Sequence, residues 1–203
     1  MSPFWLAALF RSCTSVRSWV SCCVAAFVAL FNFSMSALLH NKYWLDDAHR
    51  QRMRKLDYSG IFLMITGSAL PVLVCGAESK VVVGVVVIGE LFLATAGVYL
   101  TLSGSMYALG TLSRALVFIT TGLAHVMCVA YYYSQEYINR QELTYLVLMA
   151  MCYIAGGLCY GLKWPVLWPK VFGFHELFHL CCAVGAGLTL MADDSAIRRL
   201  AAS

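Results

Sequence analysis

Six long apolar segments restrict what this sequence can fold into. Each contains about 20 residues with few charges, which is the length that an α-helix needs to cross the hydrocarbon core of a bilayer. Lipid offers no hydrogen-bond partners to backbone groups, so each segment has to satisfy its own as a helix. The segments that we predict to span the membrane are residues 18–40, 58–78, 80–102, 114–134, 143–163 and 174–191.

The composition agrees with a multi-pass integral membrane protein. The mean hydropathy is +0.76, and only 12% of the 203 residues are charged. We therefore predict an all-α transmembrane helix bundle, with one helical domain over residues 18–191 between a short amino-terminal segment, 1–17, and a polar tail, 192–203. The net charge of +4 comes mostly from loops, so we expect membrane lipids as partners and no nucleic acid.

The nine cysteines fall almost wholly within apolar stretches and show no C-x-x-C spacing. Free cysteine behaves as a small buried hydrophobic residue, and we interpret the nine in this way, with disulfides or metal binding as the less favoured alternative.

The charge distribution predicts how the chain is oriented. The link 41–57 holds the densest cationic cluster in the sequence, with Lys42, Arg50, Arg52, Arg54 and Lys55. The positive-inside rule places this link in the cytosol. Because successive spans alternate in direction, the end of the first span and the beginnings of the second and sixth spans all lie on this face.

Three histidines are predicted to meet at that face. His175 and His179 are four residues apart, so they project from the same side of one helix at the beginning of the sixth span. His40 ends the first span on the same membrane face. Neutral imidazole nitrogens are ordinary zinc ligands, and we predict that these three residues bind Zn²⁺.

Two further polar residues belong to this predicted site. A zinc ion with three histidine ligands keeps one coordination position open for water, and Asp57, at the beginning of the second span, can accept a proton from that water. Ser36 lies one turn before His40. Alternatively, Asp57 could be a helix N-cap, and Ser36 could bond to a carbonyl one turn earlier.

Two ionisable residues fall inside other predicted spans. Glu90 lies in the third span, where it is a candidate for a proton or ligand contact, although the sequence names no partner for it. His125 lies in the middle of the fourth span, and we interpret it as a hydrogen-bonding contact between helices.

The segment His175-Glu176-x-x-His179 also satisfies the H-E-x-x-H pattern of zinc proteases, in which the glutamate is the general base. Those proteases commonly take a third ligand downstream. Only Asp193 and Asp194 follow here, beyond the predicted span and toward the opposite face, so an intramembrane protease is the less favoured alternative.

Several motifs in order resemble the haemolysin-III and progestin/adipoQ receptor family. They are Ser36-x-x-x-His40, Lys55-Leu-Asp57-Tyr-Ser-Gly60-Ile61, Gly156-Gly-Leu-Cys-Tyr160 and Phe172-Gly-Phe-His175-Glu-Leu-Phe-His179. This resemblance covers the chain from about residue 18 onward. It implies a seven-helix membrane protein with zinc near the cytosolic face, bound by His40, His175 and His179, with Asp57 contacting the zinc-bound water and Ser36 nearby.

The resemblance also carries an expectation about the amino terminus. The first of the family's seven helices has no adequate counterpart, because only a short apolar run precedes Arg11. We therefore expect six clear spans, with the first helix missing or truncated.

Family members include receptors linked to lipid metabolism, and some hydrolyse ceramide-like amides. The resemblance therefore implies either a zinc-dependent lipid amide hydrolase or a receptor in which zinc is structural, each with a lipid or sphingolipid-like ligand. In the hydrolase, Asp57 and Ser36 would have catalytic roles. A lytic or pore-forming protein is a weaker alternative, suggested only by the family's name.

Overall fold

The computed structural model of this protein describes residues 10–202. Between Val16 and Ala202 the chain forms eight helices, and the loop before the last one contains an isolated bridge between Trp168 and Phe172. The helices are α1 (Val16–Asn41), α2 (Asp47–Gly67), α3 (Leu70–Gly76), α4 (Lys80–Leu102), α5 (Ser105–Ala108), α6 (Thr111–Ser134), α7 (Arg140–Leu162) and α8 (Phe174–Ala202).

Six segments in the described part of the chain are long and apolar enough to cross a membrane. They are α1, the continuous stretch Asp47–Gly76 that contains α2 and α3, and then α4, α6, α7 and α8. The prediction of an all-α bundle with six spans is therefore confirmed. The expectation of a missing or truncated first helix concerns the chain before Arg11, where residues 1–9 lie outside the described residues.

The second span forms the centre of the bundle. Its α2 half contacts α1, α4 and α6, and its α3 half contacts α1, α4 and α8, while α7 packs against α6 and α8. This span is also the most buried of the six. A residue on α2 therefore lies within reach of several other spans, which matters for the site described below.

The second span is broken into two helices, where we predicted one continuous helix over residues 58–78. The helix ends at Gly67 and a new one begins at Leu70, so Pro71 lies in the first turn of α3. A proline is tolerated there because its missing N–H would have had no partner within the helix. The Val72 N–H, in the same turn, donates to Asp193 Oδ1 of α8 at 3.0 Å.

Two helix ends also differ from the sequence-based expectation. The helix α2 begins within the charged link, where the Asp46 carboxylate caps it by accepting a hydrogen bond from the Ala48 N–H. Asp57 therefore lies in the interior of α2, and the alternative that it is the N-cap is wrong. The helix α8 continues through the predicted polar tail to Ala202, because Asp193 is buried against α3 and Asp194 pairs with Arg198.

Glycines allow close contacts between helices at two places that position the site. A Cβ atom on Gly156 of α7 would lie 2.7 Å from the Cβ of Cys181 on α8, so the two helices touch at this point. A Cβ on Gly97 of α4 would lie 2.2 Å from the ring of Phe62 on α2.

Candidate metal centre

Three imidazole rings meet at one end of the bundle. His40 lies in the last turn of α1, and His175 and His179 lie in the first two turns of α8. The ring centroids are 4.7 Å apart for His40 and His175, 5.4 Å for His40 and His179, and 4.6 Å for His175 and His179. One nitrogen from each ring lies within 4.8 Å of the others.

Local structure explains why the two histidines of α8 share a face. The Glu176 carboxylate accepts a hydrogen bond of 2.8 Å from the Gly173 N–H, which stabilises the first turn of the helix. His175 and His179 are then one turn apart on a regular helix. At the end of α1, the Trp44 indole N–H donates to the Leu39 carbonyl, which holds the chain just after His40.

The nitrogen atoms have a spacing that suits zinc. The Nε2 atoms of His175 and His179 are 3.1 Å apart. Two ligands of a tetrahedral zinc ion, each about 2.05 Å from the metal, are separated by about 3.3 Å. His40 is exposed and the other two histidines are half-buried, so the donor set is open on one side. The residues present therefore fit the metal that the sequence predicts.

The structure places Asp57 and Ser36 beside the histidines. The Asp57 side chain is buried, at 7% relative exposure, and its carboxylate interacts with the Ser36 hydroxyl and with His40. Ser36 and His40 come from α1 and Asp57 comes from α2, which are neighbouring helices. All five residues predicted for the site, from three different spans, are thus brought together.

Two tyrosines and an arginine extend this polar end of the bundle. The Tyr160 ring centroid lies 5.7 Å from that of His175, and its hydroxyl is hydrogen-bonded to Tyr58. The Arg114 guanidinium lies 5.8 Å from the centre of the Tyr58 ring, and its Nε is buried with no hydrogen-bond partner among residues 10–202. From the sequence we assigned no role to Arg114 or to Tyr58, although Tyr58 directly follows Asp57.

A cavity of about 310 Å³ opens beside the histidines. It lies between the loop after α7 and the beginning of α8, and its wall includes Trp168, Phe172 and Phe174 together with His175 and Glu176. The loop exposes large apolar side chains, with Trp168 66% and Val171 76% exposed. Aromatic and aliphatic residues at this level suit the boundary between headgroups and acyl chains.

The structure also supplies the partner that the sequence could not name for Glu90. His125 Nε2 lies 3.3 Å from Glu90 Oε1, and both side chains are less than 10% exposed. This contact joins α4 to α6 near the middle of both helices. It agrees with the interpretation of His125 as a contact between helices, but neither His125 nitrogen has a hydrogen bond of good geometry within residues 10–202. Neither residue belongs to the histidine cluster.

Comparison with known proteins agrees with this arrangement. Residues 2–190 match the family described as Haemolysin-III related. The adiponectin receptor protein of Drosophila melanogaster is 35% identical over 145 residues, which cover 65% of this chain and 32% of that relative. The chain thus spans about a third of the length of this curated relative. Because the family match covers nearly the whole sequence, this protein belongs to the haemolysin-III related family.

Proposed function

We propose that this protein binds one zinc ion through His40, His175 and His179 and hydrolyses the amide bond of a ceramide-like membrane lipid. The observation that carries the proposal is the buried Asp57 carboxylate next to three converging imidazoles. A carboxylate beside an open ligand position is the arrangement that general base catalysis uses.

The residues of this chain have distinct roles in the proposed reaction. When bound, zinc supplies a Lewis acid that polarises a carbonyl and makes a water molecule more acidic. Asp57 accepts the proton of the attacking water and can deliver it to the leaving amine. Ser36 holds the carboxylate by its hydrogen bond. The cavity beside His175 has an aromatic wall that can accommodate the apolar part of a lipid.

We place this site on the cytosolic face of the membrane. The support is the cationic cluster of the link 41–57, which comprises the loop after α1 and the first part of α2 up to Asp57. The same face carries the Lys170 loop and the beginning of α8.

A receptor without catalytic activity is the second candidate. A relative is named an adiponectin receptor protein, and the same three histidines would then serve to join the ends of α1 and α8. Binding of a lipid or protein ligand would change how these helix ends meet. The two candidates differ in whether Asp57 is needed for turnover.

The protease and pore alternatives have less support. The exposed Glu176 carboxylate is bonded to the Gly173 backbone and stabilises the beginning of α8, whereas a protease would need it to activate water. The buried acids Glu90 and Glu142 face basic partners on neighbouring helices, which leaves few charges to line a channel. Dye release from vesicles that contain the purified protein tests the pore, and no release is expected.

The first experiment measures the metal content of the detergent-purified protein by elemental mass spectrometry. We expect about one zinc per chain in the wild type and in His49→Ala, whose exposed histidine lies outside the site. We expect His40→Ala and His179→Ala to lose most of it. Zinc retained in both of these variants would contradict the assigned ligands.

The second experiment separates hydrolase from receptor. Asp57→Asn keeps the size of the side chain but removes the base, so we expect zinc to be retained and the hydrolysis of a ceramide-like amide to fall by about 10²–10⁴-fold. Unchanged turnover in this variant would show that Asp57 is not the general base. A zinc-loaded wild type with no turnover would favour the receptor.

A further inference from the structure

A cluster of thiols lies at the end of the bundle opposite the histidines. Cys22 of α1 is fully buried and packs with Cys75 of α3 and Ile197 of α8, and Cys13 lies against this group. Cys22 and His40 are 18 residues apart on one continuous helix, which separates them by about 27 Å along its axis. The thiols and the candidate metal centre therefore lie near opposite faces of the membrane.

Two of these thiols are in direct contact. The Cys13 thiol donates to Cys22 Sγ, and the two sulfur atoms are 3.5 Å apart. Cys13 precedes the helix, and Ser15 is its N-cap. Ser15 and Cys22 are seven residues apart, so they lie on the same face of α1. The chain before the helix therefore folds back over the face that carries Cys22.

The two sulfur atoms can close to bonding distance with a small movement. A disulfide bond is about 2.05 Å long, so the gap to close is about 1.5 Å. Cys13 is outside regular helix and only partly buried, so we expect its side chain to make this movement. Cys22 is held by the core of the bundle and acts as the fixed partner.

We propose that Cys13 and Cys22 form a disulfide bond that attaches the segment before α1 to the bundle. This assignment revises the interpretation of all the cysteines as simple hydrophobic residues. If the histidines face the cytosol, the thiol pair faces the compartment on the other side of the membrane, which is the oxidising side in secretory and extracytoplasmic settings. The pair does not depend on the proposed zinc chemistry.

The oxidant belongs to the class of disulfides, either a small molecule such as oxidised glutathione or a protein disulfide. The Cys13 thiolate attacks one sulfur of the oxidant, forms a mixed disulfide and releases the first thiol. Cys22 then loses its proton and attacks the Cys13 sulfur, which releases the second thiol. Two electrons pass from the two cysteines to the oxidant, and two protons leave the cysteines.

The test uses the whole purified protein in detergent, treated with oxidised glutathione, alkylated and digested with trypsin. Cleavage after Arg11, Arg17 and Lys42 separates the two cysteines into the peptides 12–17 and 18–42. The second peptide also contains Cys23, which is exposed at the adjacent position and provides the matched control. The Cys23→Ser variant therefore shows which cysteine of that peptide is linked.

We expect the linked peptides in the wild type, in Cys23→Ser and in Cys75→Ser, with two fewer thiols available to a maleimide in the denatured protein. Cys13→Ser and Cys22→Ala should lose the link. Cys13→Ser changes only a partly buried residue, so its loss of the link tests the pair even if Cys22→Ala folds poorly. A link from Cys13 to Cys75 or Cys23, or a stable glutathione adduct on Cys13 without closure, would overturn the proposal.

Discussion

At the scale of single residues, ionisable side chains inside this bundle are matched with partners on other helices. Glu90 on α4 meets His125 on α6, and Glu142 on α7 accepts hydrogen bonds from Ser195 and Arg199 on α8. Among the described residues, however, Glu90 Oε2 and both His125 nitrogens lack a hydrogen bond of good geometry. The Glu90 and His125 side chains are therefore in contact, with Nε2 and Oε1 3.3 Å apart, but they do not form a hydrogen bond of good geometry. A variant that removes one of the two side chains leaves the other buried without its partner.

The Glu90–His125 contact predicts non-additive mutations. We expect Glu90→Leu and His125→Leu each to lower the free energy of unfolding, because each leaves one buried polar group without a partner. The double variant should be more stable than the sum of the two changes implies, with a coupling of about 1 kcal/mol. Denaturant titration in micelles measures all four proteins. Additive effects would show that the two side chains do not interact, and His49→Leu, on the exposed surface, serves as the control with little change.

At the scale of helices, the break in the second span depends on a residue far away in the sequence. The seven-residue helix α3 is too short to be stable by itself, and its N-cap residue, Ala69, provides no side-chain cap. The Asp193 carboxylate replaces that cap by accepting a hydrogen bond from the Val72 N–H. A buried acid in the last span therefore stabilises the beginning of a short helix in the second.

This capping role predicts different effects at two adjacent aspartates. Asp193→Ala should lower the free energy of unfolding by about 1–3 kcal/mol, because the buried Val72 N–H loses its acceptor. Asp193→Asn keeps an acceptor oxygen and should be close to the wild type. Asp194→Ala removes only a partly exposed pair with Arg198 and should cost less than about 1 kcal/mol. Thermal unfolding in detergent compares the three variants, and equal effects at both positions would contradict the capping role.

At the scale of the whole molecule, the last span meets other parts of the bundle at both of its ends. One end carries His175 and His179 opposite His40 of the first span. The other end bonds to α7 and to the loop before it, where Arg199 donates to Glu142 and to the Tyr137 carbonyl. A metal ion held by the three histidines would join the first and last spans and so close the bundle.

Zinc should therefore stabilise the whole bundle. A chelator is expected to lower the thermal midpoint of the wild type, and added zinc should restore it, because a ligand that binds only the folded state stabilises it by about 2.7 kcal/mol at 100 times its Kd. Differential scanning fluorimetry with a thiol-reactive dye can follow the transition. The His40→Ala variant should respond to neither reagent. If neither the chelator nor added zinc changes the thermal midpoint of the wild type, the metal does not stabilise the fold.

The sequence by itself determined the class of fold and which residues meet at the candidate metal centre. The length of each apolar segment identifies the membrane spans. Because successive spans alternate in direction, His40 and the pair His175 and His179 are predicted to lie on one membrane face. The i, i+4 spacing then decides that His175 and His179 point the same way. Each of these inferences depends only on distances along the chain, which the sequence records directly.

Only the tertiary structure decided which residues face each other from different helices. The pairing of Glu90 with His125, the cap that Asp193 gives to α3, and the contact of Cys13 with Cys22 all depend on how each helix is rotated and where it begins. Hydropathy does not specify rotation when most faces of a helix are apolar. Close packing at glycines such as Gly97 and Gly156 sets that rotation, because the absence of a side chain lets the two helices approach closely there.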